Sequence, residues 1–290
     1  MRWLVTGAGG MLGRDLVEEL LARGERVTGL DHAALDITGP EAVHHALAAH
    51  HPDVVVNCAA YTAVDDAERD EREALRVNGD GPRLLARACA AHEARLIHVS
   101  TDYVFAGDVR TPYPEDHPPA PRTAYGRTKL AGEQGVAAEL PAASALVRTA
   151  WLYGVHGRSF VRTMIELEAR RDTVDVVHDQ RGQPTWSADV AAHIADLGPR
   201  VGRDVTGVLH ATNSGEATWY DLAREVFRLL GADPDRVRPV TGEAFPRPAP
   251  RPAYSVLAHG RRQRLGLARP RDWRTALREA LPRIRKEALP

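Results

Sequence analysis

Cysteine is nearly missing from this sequence. Its 290 residues hold two, Cys58 and Cys89, each in an apolar or alanine-rich stretch and neither in a Cys-x-x-Cys pair. That argues against a disulfide framework or a cysteine-ligated metal centre; two buried free thiols are expected instead. Long apolar runs are missing too, so no membrane span is expected. The run Trp3-Leu4-Val5 near the N-terminus stops at Gly7 and is too short for a secretory signal, which points to the cytoplasm. Neither sign of charge prevails. The 38 basic and 39 acidic residues leave a net charge of −1, so neither nucleic acid nor an anionic membrane is expected as the main partner. No internal repeat and no long low-complexity tract is visible.

What is present is an alternation of strand and helix signals. Trp3-Leu4-Val5 reads as a strand, Met11–Arg23 as an amphipathic helix ended by Gly24, and Arg26–Leu30 as a second strand. A helix is expected over Glu41–Ala49, with Pro40 at its start. Val54-Val55-Val56 is apolar on both faces, as in a parallel sheet covered on both sides. A long helix over Ala74–Ala91, a strand over Arg95–Val99, a helix over Tyr125–Ala138 and a strand over Ala143–Val147 continue the pattern. Such βαβ units imply an α/β fold, a Rossmann-type doubly wound parallel sheet with ligands at the carboxyl ends of its strands. After about residue 150 the alternation loosens, with helices expected near Phe160–Arg170, Ala188–Leu197, Thr218–Leu230 and Trp273–Leu281. Residues 1–150 are therefore expected to form a dinucleotide-binding domain. Residues 151–290 are expected to form mainly a smaller C-terminal substrate lobe, partly interleaved with it.

Three glycines, Gly7, Gly10 and Gly13, lie at three-residue spacing between the first strand and the first helix. The first permits a tight turn, the second a close approach of backbone to pyrophosphate, the third close packing of helix on strand. The helix N-terminus then offers free N–H groups to phosphate. Asp31 ends the second strand, where a carboxylate accepts hydrogen bonds from ribose hydroxyls and favours NADH. Arg14 is either a 2′-phosphate ligand or a solvated helix residue.

Tyr125 and Lys129 are four apart on a predicted helix and so share a face. A free phenol has a pKa of about 10. A nearby ammonium is expected to lower it, so that the tyrosine exchanges a proton with a carbonyl receiving hydride. Ser100-Thr101 closes the preceding strand and offers a hydroxyl to the same carbonyl. Between Phe245 and Tyr254, Arg247 and Arg251 stand among prolines. They are either phosphate ligands or solubilising side chains of a stiff loop.

These residues resemble the extended short-chain dehydrogenase/reductase superfamily and, within it, the dTDP-4-dehydrorhamnose reductase family. The likeness runs over nearly the whole chain. It includes Gly7 to Gly13, Leu35-Asp36-Ile37-Thr38, Asn57-Cys58-Ala59-Ala60-Tyr61-Thr62-Ala63-Val64-Asp65 and Ser100-Thr101-Asp102-Tyr103-Val104-Phe105. It continues through Tyr125-Gly126-Arg127-Thr128-Lys129-Leu130-Ala131-Gly132-Glu133, Arg148 to Gly154, Asp179 to Thr185 and Arg251-Pro252-Ala253-Tyr254-Ser255. The resemblance implies reduction of the C4 ketone of a nucleotide-linked 4-keto-6-deoxy sugar, foremost dTDP-4-dehydro-L-rhamnose, by NADPH or NADH. Tyr125 would donate the proton, with Lys129 as its partner and Thr101 orienting the C4 oxygen. Gly7, Gly10, Met11, Leu12 and Gly13 would hold pyrophosphate, Asp31, Asp36 and Ile37 would lie near adenosine, and Ala60, Tyr61 and Thr62 would line the cofactor further along. Thr101, Asp102, Trp151 and Arg251 would meet the substrate, Trp151 packing on the sugar. The family is associated with magnesium, but no ligand cluster stands out, and no metal is assigned. A homodimer is compatible with the resemblance.

Gly9, where the family often has a larger residue, and Cys58, often alanine, depart from its pattern. Related alternatives are reductases of other dTDP-4-keto sugars in antibiotic pathways and nucleotide-sugar epimerases, which keep NAD(H) bound. Dehydratases of the superfamily carry Asp-Glu where this chain has Asp102-Tyr103. A non-catalytic alternative is a regulatory subunit like that of methionine adenosyltransferase, which the presence of both Tyr125 and Lys129 disfavours.

Overall fold

Parallel strands, the inner ones apolar on both faces, build the central layer of the protein, a computed structural model that describes residues 1–288. The layer comprises β1 (Arg2–Thr6), β2 (Arg26–Leu30), β3 (Val54–Asn57), β4 (Arg95–Thr101), β5 (Ser144–Thr149) and, much later, β10 (Gly207–His210). All its pairings are parallel, in the order β10-β5-β4-β3-β1-β2. The strand order reverses at β1, so a crevice opens between the carboxyl ends of β1 and β3.

Side chains alternate across this sheet. Trp3, Val5, Val54, Val56, Ile97, Ala145 and Val147 enter one core, and Leu4, Val55, Leu96 and Leu146 the other. Helix α1 (Met11–Ala22) covers the first face with Leu12, Leu16 and Leu20, together with Val190, Ile194 and Leu197 of a later helix. The second face is covered by α2 (Pro40–His50), α5 (Gly81–Ala91) and α6 (Ala124–Glu139), through residues such as Val43, Leu85 and Val136. The short helices α3 (Val64–Ala67) and α4 (Glu71–Leu75) lead into α5.

The helix expected over Ala74–Ala91 is therefore interrupted. Arg76–Asp80 forms a π-helical turn between α4 and α5. Its cause is tertiary. Asn78 is drawn inward, accepting a 2.9 Å hydrogen bond from the Tyr61 N–H and donating a 3.0 Å bond to the Tyr61 carbonyl. A Cβ at Gly132 of α6 would collide with the Asn78 carbonyl, so the two helices touch backbone to backbone there. Such wide turns recur at functional sites.

The remaining elements form a second, smaller layer. The strands are β6 (Leu152–Tyr153), β7 (Val174–Val177), β8 (Arg181–Gly182), β9 (Thr185–Trp186), β11 (Ala217–Thr218) and β12 (Val237–Val240). They pair two by two, as β6-β9, β7-β12 and β8-β11. The helices are α7 (Phe160–Glu168), α8 (Ser187–Leu197), α9 (Trp219–Leu230), α10 (Gly260–Arg264) and α11 (Trp273–Ala288). Helix α8 packs back on the central sheet. Helices α7, α9 and α11 enclose a separate core around Ile165, Phe227, Trp273 and Leu277. Helix α9 is fixed at its start by a reciprocal cap, Thr218 accepting from the Asp221 N–H and Asp221 from the Thr218 N–H. Among the described residues no helix is long and apolar enough to cross a membrane.

Candidate active site

The glycine turn lies where β1 meets α1. Gly7 has φ +67°, and a Cβ there would come within 2.5 Å of the Ala59 amide beyond β3. A Cβ at Gly13 would collide with the Gly7 carbonyl. The turn can thus close only with glycine at both positions. Gly10 is the N-cap of α1 and brings no capping side chain, so the first N–H groups of the helix face the crevice unpartnered by side chains. These features fit a dinucleotide pyrophosphate.

A cleft of about 1140 Å³ runs from this turn along the ends of β1, β3, β4 and β5. Every residue expected at the site lines it except Arg251. At one end stand exposed Asp31 and Asp36 beside buried Ile37. Asp31 Oδ1 accepts the Ala34 N–H at 3.0 Å. Arg14 does not line the cleft; its Nε turns back to the Gly9 carbonyl, 3.1 Å away. Cys58 also lines the cleft and is half-buried rather than buried; desolvation pushes its thiol up to about 12.

At the other end Tyr125, Lys129 and Thr101 meet. Thr123 caps α6 by accepting the Gly126 N–H, and Tyr125 is in the helix's first turn. The Lys129 ammonium donates a 2.7 Å bond to the Val99 carbonyl of β4. Burial pushes the ammonium down to about 8 against the opposing pull of Glu133. The expected lowering of the Tyr125 phenol does not occur. Burial pushes it up to about 12, Thr101 pulls it down, and Asp102 adds to the rise. The reason is geometric: Lys129 spends its nearest contact on Val99, and low dielectric disfavours phenolate.

The Thr101 hydroxyl donates to Asp102 Oδ1 at 3.0 Å. Asp102 is buried, its other oxygen has no hydrogen-bond partner, and desolvation raises it to about 6. Trp151 sits in the left-handed region at φ +46°, strained for a side chain of its size. Its indole stacks on that of Trp219, centroids 3.5 Å apart and planes 3° from parallel.

Arg251 stands apart. It lines a second cleft of about 760 Å³ with Phe160, Gln180, Trp219 and Arg247. Its guanidinium donates to Asp65 Oδ2 at 2.8 Å and to the Ala249 carbonyl at 2.9 Å.

Sequence reasoning missed five contributors. Asn78 clamps Tyr61; Glu133 acts on Lys129 and is itself paired with Arg148; Trp219 backs Trp151; Arg158 adds a cation to the main cleft. Only Glu133 carried a signal, as a charge in the turn after Lys129. Away from the cleft, ligand atoms of Asp15, Glu18 and His156 lie within 4.8 Å of one another, and no metal is assigned to them. Asp15 is engaged there by Ser187.

Residues 1–286 match the family described as RmlD substrate binding domain. The chain is 65% identical to a probable dTDP-4,6-dihydroxy-2-methyloxan-3-one 4-ketoreductase of Streptomyces antibioticus, over 98% of this chain and 96% of that protein. It is 56% identical to a dTDP-4-dehydrorhamnose reductase of Streptomyces griseus, over 98% of this chain and 94% of that one. Among solved structures, the dTDP-4-dehydrorhamnose reductase of Bacillus anthracis in complex with NADP superposes with a TM-score of 0.93 at 37% identity, over 97% of this chain and 98% of that one.

Proposed function

Since this chain belongs to the RmlD substrate binding domain family, we propose that it reduces the C4 ketone of a dTDP-linked 4-keto-6-deoxy sugar with NADPH or NADH. The observation that carries the reading is the meeting of Tyr125, Thr101 and Lys129 in the cleft that begins at the glycine turn. In this reading residues 1–150 mainly hold the dinucleotide and residues 151–290 mainly the substrate, and the reaction runs in the cytoplasm.

The reduced nicotinamide, when bound, supplies the hydride. The chain supplies the rest. The glycine turn and the start of α1 hold pyrophosphate, and Asp31 faces the adenosine ribose. Thr101 orients the C4 oxygen. Tyr125 keeps its proton at neutral pH, because burial has raised it to about 12, and releases it to the oxygen as negative charge develops there. Lys129 is largely charged at neutral pH. It is anchored on Val99 by one N–H, which leaves two for the nicotinamide ribose and the tyrosine.

The favoured substrate is dTDP-4-dehydro-L-rhamnose. The 65% identity to the Streptomyces antibioticus protein favours a second sugar, the one in that protein's name. Purified protein should oxidise NADPH or NADH in proportion to sugar reduced, and only when such a sugar is present. Tyr125→Phe should lower turnover by roughly 10²–10⁴-fold, the loss of a general acid. No turnover with either cofactor on a panel of dTDP-4-keto-6-deoxy sugars overturns the reading, and sugar conversion without net oxidation replaces it with an epimerase.

A further inference from the structure

Trp219 lines both the main cleft and the second one. A nucleotide-linked hexose with its C4 at Tyr125 and its diphosphate directed toward Arg251 has to cross the junction between them. At that junction Trp219 lies flat on Trp151 at 3.5 Å, and Phe160 backs Trp219 at 4.7 Å. A second constraint is Gly182, where a Cβ would come within 2.6 Å of the Trp151 indole nitrogen. One small sheet ties the two constraints together. Ala217 of β11 pairs with Gly182 of β8, and two residues on, Trp219 begins α9 under the Thr218–Asp221 cap. Both indoles are half-buried, so the pair still presents surface to the clefts.

We propose that Trp219 is a substrate-positioning residue: it fixes the plane of Trp151, and the stacked pair forms the wall against which the hexose is held between Tyr125 and the second cleft. The inference rests on the reductase reading above. On this proposal the effect of the stack falls on sugar binding and not on the dinucleotide.

The test compares wild type, Trp219→Leu and Trp219→Phe, using NADPH and the dTDP-4-keto-6-deoxy sugar that the wild type reduces. It adds calorimetric titrations with dTDP-L-rhamnose and with dTDP. Trp219→Leu should raise the KM for the sugar about tenfold, the scale of an aromatic pair, and leave the KM for NADPH within about twofold. Trp219→Phe should recover most of the loss. Affinity for dTDP-L-rhamnose should fall with the KM, while affinity for dTDP, which lacks the hexose, should hold. Equal loss for both ligands, a parallel rise in the KM for NADPH, or an unchanged sugar KM overturns the proposal. Should Trp219→Leu fail to fold, Gly182→Ala presses directly on the Trp151 indole and should raise the sugar KM alone; an unchanged value there overturns the proposal equally. A wild type that reduces no such sugar removes the reductase reading and this inference with it, whereas normal wild-type turnover beside an unaffected variant removes only this inference.

Discussion

Arg148 of β5 donates two hydrogen bonds, of 2.8 and 2.6 Å, to the two carboxylate oxygens of Glu133 on α6, with both side chains about 3–4% exposed. This fork joins the helix that carries Tyr125 and Lys129 to the strand that leads to Trp151. It also places a negative charge one turn beyond Lys129, where it resists the burial that lowers the ammonium. Glu133→Gln keeps the volume and removes the charge. Lys129 should then lose its proton at lower pH, and the alkaline limb of kcat/KM, expected near pH 8 in the wild type, should move toward neutrality. The protein should also lose roughly 3–5 kcal/mol of stability, because Arg148 is left as an uncompensated buried cation. A limb that stays in place would show that it reports some group other than Lys129.

Cofactor choice should depend on Asp31. Its exposed carboxylate lines the end of the cleft proposed to take adenosine, where a 2′-phosphate would be repelled. Two unit charges about 4 Å apart in water interact by roughly 1 kcal/mol, so Asp31→Ala should improve kcat/KM for NADPH relative to NADH about fivefold. An unchanged ratio would place Asp31 away from the ribose.

Asp102 should make stability depend on pH in an unusual direction. Its folded carboxyl is raised to about 6 by burial, above its unfolded value, so the fold favours the protonated form. The resulting stabilisation is complete below the unfolded value and is lost as pH rises through about 6. The difference is on the order of 3 kcal/mol. Denaturant melts of wild type and Asp102→Asn between acid and neutral pH should diverge, the variant showing the flatter profile. Parallel profiles would assign the wild-type slope to other carboxylates.

Arg251 is held by Asp65, yet it borders the second cleft. Its loss should weaken dTDP binding about tenfold, the scale of one charged hydrogen bond, and leave NADPH binding intact. Equal dTDP affinities in wild type and Arg251→Ala would make the Asp65 pair purely structural.

Inner strands such as β3 were legible because residues buried on both faces leave continuous apolar runs such as Val54-Val55-Val56, whereas β10 of the same sheet was not expected. Tyr125 and Lys129 were legible because a helix brings positions four apart together. What escaped is set by contacts distant in sequence. The π-turn at Arg76–Asp80 exists because Asn78 bonds to Tyr61, and no local pattern announces that. The Trp151–Trp219 stack joins residues 68 apart through a two-residue strand pair too short to carry periodicity. The direction of the Tyr125 shift depends on how deeply the phenol is desolvated and on the Lys129 bond to Val99, neither of which spacing encodes.

The sixth strand of the central sheet, β10, is made some sixty residues after its neighbour β5, and α8, which covers α1, also comes late. During synthesis the chain therefore passes through a stage in which α1 lacks the cover of α8 and β5 is an open edge. Such an edge invites pairing with other chains. A polypeptide cut after residue 150 would stay at that stage, and aggregation is its expected fate. Tyr125, the proposed proton donor, is made before the midpoint of the chain, but the sheet beneath it is complete only when β10 arrives.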